Sequence, residues 1–379
     1  MRLFFSILTV IFSILIPSIQ AEDALDLRIP VVDMRDYADP EKREQFLDTL
    51  YGAMTQVGFF AVLHAGVDGS VVKNAYEQAA HFFKQDLAVK MQCYEKSLGG
   101  QRGFVQGETA KGAFSKDVKE FYHIGKEGLL PENIWPEDLE FKQALSTLFH
   151  ELEQYVVPLQ EAIVSTINAR TSTPLPLDFL NATTKEGKNL LRALYYPAFS
   201  KEQLDNPKET LYWGAPHTDI DFLAILPYAT EKGLQVELDG EWLNVVVPED
   251  AFIVNVGDML ENLTNGLFVS ARHRIVATAP DKERFSMVLF VHPTDDTPLD
   301  PLPTCIELTG GEQRYAPGTR KEFLWERLLE LNIAPGLLVP YSQTGHTERQ
   351  LQYNRASPQV VEMLIKEGLL TRAPNSPSK

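Results

Sequence analysis

A histidine and an aspartate two positions apart are the first residues in the sequence that could do chemistry together. His217 and Asp219 lie in segment 214–226, GAPHTDIDFLAIL, whose start is predicted to be extended. Because residues i and i+2 of a strand point to the same side, the imidazole and the carboxylate can be directed at one point. His273 lies on a second predicted strand, 270–277. Two histidines and one carboxylate are the ligands of the facial triad that binds non-haem Fe(II). The tripeptide taken alone fits a surface strand with a polar face equally well.

An arginine and a serine on the strand that follows His273 strengthen the metal-site hypothesis. Arg284 and Ser286 are again two apart, across a predicted turn at 279–283. A guanidinium offers a bidentate fork to a carboxylate, and a serine hydroxyl adds one more donor. A metal with open coordination positions beside a carboxylate clamp is what a 2-oxo acid co-substrate requires.

The elements that must position these residues change character along the chain. Helical spacing of apolar residues gives way to a period of two from about residue 189, and Asp239-Gly240 predicts a two-residue hairpin. The predicted helices are 41–57, 71–83, 139–167 and 321–331. The predicted strands are 29–33, 58–63, 190–196, 223–226, 234–238, 242–247, 251–256, 270–277 and 285–292. Short strands with tight turns and flanking helices predict a mainly β fold, an antiparallel sandwich or barrel.

Composition excludes several classes of protein. The 379 residues include 52 acidic and 35 basic side chains, for a net charge of −17, and no Lys/Arg-rich run appears. A nucleic-acid partner is therefore not expected. The two cysteines, Cys93 and Cys305, are too few for a disulfide scaffold or a thiolate zinc site. A small-molecule substrate is expected, and the sequence says nothing about oligomeric state.

The N-terminal segment has the layout of a secretory signal peptide. Residues 1–21 comprise one basic residue, Arg2, an apolar run at 3–16, then Pro17 and a small residue, Ala21. We expect export to the periplasm or the medium, with no membrane span after signal removal. An uncleaved anchor or a misassigned start are the alternatives, and a misread signal would leave the protein cytoplasmic.

The residues above also carry a family resemblance. The His-Thr-Asp motif, His273 and Arg-Phe-Ser resemble the isopenicillin N synthase-like branch of the Fe(II)/2-oxoglutarate dioxygenases, and IPVVDM and VGFFAVLHAGV near the N-terminus are similar too. The resemblance covers residues 28–335. It implies a double-stranded β-helix (jelly roll) core, with His217, Asp219 and His273 as iron ligands and O₂ as oxidant. Arg284 and Ser286 would bind the distal carboxylate of 2-oxoglutarate.

One motif departs from the family pattern. The family's Asn-Tyr-Tyr-Pro is here Leu194-Tyr195-Tyr196-Pro197, so an amide donor is replaced. The resemblance leaves Tyr196 as a donor to the co-substrate. Arg102 and Phe104 are candidates for the substrate pocket, although a plain surface loop explains them equally well.

These expectations divide the chain into four parts and give it one leading function. The parts are the signal (1–21), an N-terminal mixed α/β region (27–180), the jelly-roll core (181–300) and a C-terminal helical extension with a polar tail (301–379). The function is oxidation of a small organic substrate, by hydroxylation or desaturation, with release of succinate and CO₂. The alternatives are an iron oxidase of the isopenicillin N synthase type that uses no 2-oxoglutarate, and a non-catalytic binding protein.

Overall fold

Thirteen strands supply the framework of the residues that the computed structural model describes, which are 25–109, 116–205 and 211–371. The strands are β1 (Asp26–Arg28), β2 (Val31–Asp33), β3 (Phe59–Leu63), β4 (Gly103–Thr109), β5 (Lys116–Gly125), β6 (Leu190–Tyr196), β7 (Gly214–His217), β8 (Leu223–Leu226), β9 (Leu234–Leu238), β10 (Glu241–Val246), β11 (Phe252–Val256), β12 (His273–Ile275) and β13 (Arg284–Val291).

The strands form two sheets that enclose the interior of a jelly roll. One sheet has five strands in the order β1-β10-β9-β12-β7, and the other has eight in the order β2-β3-β11-β8-β13-β6-β5-β4. Apolar side chains from both sheets, among them Leu194 of β6 and Val236 of β9, share one buried cluster. The expected mainly β architecture with a jelly-roll core is confirmed.

Helices cover the outer face of the larger sheet and extend the C-terminal part. They are α1 (Met34–Ala38), α2 (Arg43–Gln56), α3 (Gly69–Phe83), α4 (Leu87–Lys90), α5 (Leu139–Asn168), α6 (Phe179–Thr184), α7 (Lys201–Leu204), α8 (Asp258–Leu263), α9 (Pro303–Leu308), α10 (Arg320–Glu330), α11 (Leu338–Ser342), α12 (His346–Gln352) and α13 (Pro358–Lys366). None of these helices is long and apolar enough to span a membrane. The predicted signal at 1–21 lies outside the described residues.

The longest helix shows why the sequence pattern predicted it well. The Asp138 carboxylate accepts hydrogen bonds from the first backbone amides of α5, as an N-cap residue does. Leu145, Leu148 and Leu152 then recur at helical spacing and are all buried against the sheet. The apolar stripe is core packing, as expected.

Alternation along β6 separates the two sides of the larger sheet. Leu191 and Ala193 pack under the helices, whereas Leu194 and Tyr196 pack between the sheets. Tyr195 stacks on Phe83 of α3, on the helical side, with ring centroids 5.9 Å apart. Even-numbered residues of β6 therefore face the interior of the jelly roll.

Strands were predicted correctly where the inward-facing residues are apolar, and they were missed where the inward-facing residues are charged. The structure places β6, β8 and β9 at the predicted bounds, and Asp239 and Gly240 form the predicted turn with φ of 51° and 81°. The hairpin β4–β5 was not predicted, because the inward face of β5 carries Asp117 and Lys119 and a register shift interrupts β4. The pairing of β5 with β6 continues the sheet across the predicted boundary at residue 180.

Candidate metal centre

The structure brings the three predicted metal ligands together beside two paired strands of the smaller sheet. His217 ends β7 and His273 begins β12, and their Cα atoms are register partners. Asp219 follows β7, and its two carboxylate oxygens lie 3.7 Å from Nε2 of His217 and 3.7 Å from Nε2 of His273. One possible ligand atom from each residue lies within 4.8 Å of the others.

Backbone carbonyls orient both imidazoles toward Asp219. The Nδ1 of His217 donates to the carbonyl of Ala215 at 2.7 Å, and the Nδ1 of His273 donates to the carbonyl of Ala271 at 3.2 Å. Because a carbonyl can only accept, the proton stays on Nδ1 and the lone pair stays on Nε2. Burial and the neighbouring His273 lower the pKa of His217, so its imidazole is neutral and available as a ligand.

A buried amide holds the carboxylate. The side chain of Asn255, on β11, donates from Nδ2 to Oδ2 of Asp219 at 2.9 Å. Burial on its own would raise the pKa of Asp219, but the two imidazoles and this hydrogen bond lower it overall. The carboxylate is thus ionised and fixed in direction, which is what a metal ligand needs.

The donor set suits a divalent transition metal. Two imidazole nitrogens and one carboxylate oxygen, converging from one side, are the donors of the facial triad that binds non-haem Fe(II) and leaves positions open. Two imidazoles that converge from one side on an ionised carboxylate have no evident structural purpose in the absence of a cation.

The predicted carboxylate clamp lies in the interior of the jelly roll. Arg284 and Ser286 are buried on β13, opposite Tyr196 and Leu194 of β6 respectively. The Arg284 Nε donates to the carbonyl of Glu231 at 3.0 Å, whereas its buried Nη1 has no hydrogen-bond partner among the residues that the structure describes. A buried guanidinium nitrogen without a partner is costly, and an anion at this position would satisfy it.

Tyr196 contributes to the same corner of the interior. Its hydroxyl oxygen lies 3.5 Å from Oγ of Ser286, and its ring centroid lies 5.0 Å from Cζ of Arg284. Leu194, at the position of the family's amide, faces Ser286 across the register and adds no donor.

A cleft of about 770 Å³ opens onto His217 and Asp219, and its lining distinguishes the two candidate pocket residues, Arg102 and Phe104. Arg102 lines this cleft. Phe104 does not, and the expectation that it lines the substrate pocket is wrong: it is completely buried beneath the helices, 6.0 Å from the ring of Phe82. The cause is strand alternation, because Phe104 lies on the helical side of β4. The clamp residues are not among the described residues that line this cleft.

Several residues of the site escaped prediction from the sequence. Asn255 lies in the predicted strand 251–256, but its role as hydrogen-bond donor to Asp219 depends on pairing between β11 and β8. Arg192, on the interior face of β6, donates from Nε to Nε2 of His123 at 2.5 Å and lies over the ring of Phe121. Its position in RALYYP beside the family motif was the signal that could have identified it.

Comparison with known proteins gives a consistent result. A family model described as the non-haem dioxygenase in morphine synthesis N-terminal matches residues 29–138, and one described as the 2OG-Fe(II) oxygenase superfamily matches residues 187–293. Thebaine 6-O-demethylase of Papaver somniferum is 30% identical over 298 residues, which are 73% of this chain and 75% of that protein. The 2-oxoglutarate-dependent dioxygenase 11 of Oryza sativa subsp. japonica is 28% identical over 307 residues, with 79% and 80% covered.

Solved structures agree with the sequence relatives. A 2OG-Fe(II) oxygenase family protein from Caulobacter crescentus is 31% identical, with a TM-score of 0.69, covering 80% of this chain and 99% of that one. A Neurospora crassa protein in complex with alpha-KG shares the fold at a TM-score of 0.71 and 22% identity, covering 79% and 96%.

Proposed function

Because the chain belongs to the 2OG-Fe(II) oxygenase superfamily, we propose that His217, Asp219 and His273 are the ligands of its Fe(II). The enzyme is a non-haem dioxygenase that uses Fe(II), 2-oxoglutarate and O₂. The observation that carries the assignment is the convergence of both Nε2 atoms on the two oxygens of one ionised carboxylate.

The co-substrate occupies the interior beside Arg284 in this proposal. The unpartnered Nη1 of Arg284 and the hydroxyl of Ser286 bind the distal carboxylate of 2-oxoglutarate, with Tyr196 as a further donor. When bound, Fe(II) with 2-oxoglutarate and O₂ supplies the oxidation of a substrate C–H bond, with release of succinate and CO₂.

The protein's own residues prepare the site for that chemistry. The carbonyls of Ala215 and Ala271 fix both imidazoles, and Asn255 fixes the carboxylate, so no ligand must reorient when the metal binds. The buried surroundings of His273 and Arg284 exclude water from the side where the co-substrate lies.

The reaction we propose is hydroxylation or desaturation of a small organic molecule. Relatives named as O-demethylases and dioxygenases of small molecules support this class. The cleft beside the ligands is of the size that small-molecule sites have, and no nucleic-acid partner is proposed.

A visible absorption band tests the metal and co-substrate assignments together. Anaerobic addition of Fe(II) and 2-oxoglutarate should give a metal-to-ligand charge-transfer band in the wild type and none in His217→Ala. His150→Ala is the matched control, since His150 is exposed on α5 and, among the described residues, its side chain hydrogen-bonds to Gln154 alone. A colourless wild type would contradict the proposal.

The clamp assignment has its own test. Arg284→Met should raise the KM for 2-oxoglutarate by about a hundredfold with a smaller change in kcat, because a charge-assisted bidentate pair is lost. Arg272→Met, which removes an exposed arginine paired with Glu237, should leave the KM unchanged. Oxidation of substrate without added 2-oxoglutarate would instead support an oxidase of the isopenicillin N synthase type, and failure to retain iron would support a binding protein.

Export is a separate proposal that rests on residues 1–21. The single basic residue, apolar run and small residue at position 21 support secretion with cleavage after Ala21. Expression with a C-terminal tag in a bacterium, followed by fractionation and N-terminal sequencing, should recover protein beginning at Glu22 outside the cytoplasm. Full-length protein in the cytoplasm would contradict export.

A further inference from the structure

The cleft beside the metal ligands carries a charge opposite to that of the protein as a whole. Among the described residues that line it, eight are lysine or arginine and three are aspartate, whereas the chain has a net charge of −17. A cleft lined mainly by one sign of charge concentrates ions of the opposite sign. The cleft is therefore suited to an anion.

One of these basic side chains differs from its neighbours. Lys119 pairs with Asp117 at 2.9 Å, and Arg320 pairs with Asp295 at 2.5 Å. Arg102 is only 4% exposed, yet no carboxylate of the described residues pairs with it, and its Nε has no hydrogen-bond partner. Its Nη1 donates to the carbonyl of Gln101 at 2.7 Å. Burial lowers the pKa of Arg102, which reflects the cost of keeping this cation out of water.

The Arg102 guanidinium occupies space that any side chain at Gly125 would fill. A Cβ atom added to Gly125, at the end of β5, would lie 2.1 Å from Nη2 of Arg102. The backbone of Gly125 is itself fixed, because Asn133 donates to its carbonyl at 2.8 Å and accepts from its amide at 2.7 Å. The end of β5 thus holds in a defined position a buried cation that has no carboxylate partner in the described part of the chain.

The rest of the cleft is partly apolar. Phe121, Phe290, Leu324 and Trp325 line it together with the basic residues. A ligand that uses both surfaces has a negatively charged head and an apolar body.

We propose that the primary substrate is a carboxylic acid with an apolar body and that Arg102 binds its carboxylate. This inference rests on the proposed function, because it places the primary substrate beside His217 and Asp219. The dianionic co-substrate does not account for Arg102, since that proposal gives it a separate cation, Arg284, which is not among the described residues lining the cleft. A guanidinium can bind a carboxylate through two parallel hydrogen bonds, and the neutral amide of the same acid cannot replace that charge.

Calorimetric titration of the full chain with matched acids and amides tests the proposal. The protein, loaded with Mn(II) and saturated with 2-oxoglutarate, is titrated with hexanoate, decanoate, 4-phenylbutanoate and indole-3-acetate and with the primary amide of each. We expect at least one acid to bind about tenfold or more tightly than its amide, as loss of one charge-assisted contact predicts.

Three variants locate the contact. Arg102→Met removes the cation, and Gly125→Ala keeps the cation but displaces it, so each should bring the ratio of acid to amide affinity close to one. Lys96→Met is the control, because it removes a positive charge from an exposed lysine that lines the same cleft, and it should keep the ratio. Gly125→Ala requires only the end of a flexible side chain to move, so it folds even if Arg102→Met does not.

Each other outcome has a definite meaning. Equal binding of every acid and its amide, or a preference that survives in both Arg102→Met and Gly125→Ala, would overturn the inference. Loss of the preference in Arg284→Met alone would assign the anion to the clamp and overturn it as well. The visible band with Fe(II) and 2-oxoglutarate is independent of these titrations, so its absence in the wild type contradicts the proposed function and not the anion site.

Discussion

Arg327, on α10 in the C-terminal part, donates from Nη1 to the carbonyl oxygen of Thr218 at 3.0 Å, and Thr218 is the residue between His217 and Asp219. The same guanidinium donates from Nη2 to Asp258 at 2.8 Å, and Asp258 also accepts from the Thr218 hydroxyl at 3.1 Å. A helix more than a hundred residues downstream therefore fixes the turn that presents two of the three proposed ligands.

Arg327 is accordingly a positioning residue for the metal site. We expect Arg327→Met to weaken Fe(II) binding by about tenfold or more, as loss of an outer contact to a metal-ligand segment does. Metal titration with Co(II), followed through its ligand-field spectrum, measures the effect and shows whether the geometry changes. Lys321→Met, an exposed position of the same helix, is the control. An unchanged spectrum and an unchanged metal affinity in Arg327→Met would show that the turn keeps its conformation without Arg327.

Asn255 is expected to set the direction of the Asp219 carboxylate. Replacement by alanine removes the hydrogen bond to Oδ2, so we predict metal affinity about 10- to 100-fold lower with the fold retained. Asn181→Ala serves for comparison, since the Asn181 side chain hydrogen-bonds to the carbonyl of Val157 on the outer helices and to no other group of the described residues. Equal metal affinity in Asn255→Ala and the wild type would contradict this role.

Gly257 leaves no room for a side chain between β11 and α8. An added Cβ would lie 2.2 Å from the backbone oxygen of Asp221 and 2.2 Å from its Oδ1, and backbone cannot move away as a flexible side chain can. Gly257→Ala should lower the free energy of unfolding by about 3 kcal/mol or more, measured by denaturant titration.

Alanine at Gly52 should have the opposite effect on stability to alanine at Gly257. It lies inside α2, and an added Cβ would meet nothing within 4 Å. Gly52→Ala should therefore raise the free energy of unfolding by about 0.5–1 kcal/mol, through helix propensity and a less flexible unfolded chain. A loss of stability in Gly52→Ala, or none in Gly257→Ala, would contradict this account.

Glu261 makes stability depend on pH. Burial is the main cause that raises the pKa of Glu261 to about 7 in the folded protein, although the hydroxyl of Tyr315 donates to it at 2.9 Å. Because the folded state holds the proton more tightly than the unfolded state does, stability falls as pH rises from about 4.5 to 7 and stays lower above that range.

Replacement by glutamine removes this titration and keeps an acceptor for Tyr315. The difference in free energy of unfolding, Glu261→Gln minus wild type, should increase by about 1–3 kcal/mol between pH 5 and pH 8. Denaturant titrations at both pH values measure it. A difference that stays constant with pH would show that Glu261 titrates alike in the folded and unfolded protein.

The sequence alone determined the features that depend on neighbouring residues. A strand places residues i and i+2 on one side, so the pairing of Arg284 with Ser286 on β13 follows from spacing. The same spacing predicted that His217 and Asp219 converge, although β7 ends at His217 and the turn after it presents Asp219. Apolar periodicity likewise gave the bounds of β6, β8, β9 and α5 closely, because burial of one face fixes both the period and the length of such elements.

Tertiary structure decided which of the remaining polar residues belong to the site. Arg327 meets Thr218, and Asn255 meets Asp219, across long separations in the chain that no local pattern encodes. Arg102 and Phe104 are close in sequence but have different surroundings. Phe104 points to the side of β4 that is buried beneath the helices, whereas Gly125 on β5 leaves space for the Arg102 guanidinium in the cleft. The local sequence sets the direction of a side chain along its own strand, whereas only the packing of strands and helices decides what that side chain faces.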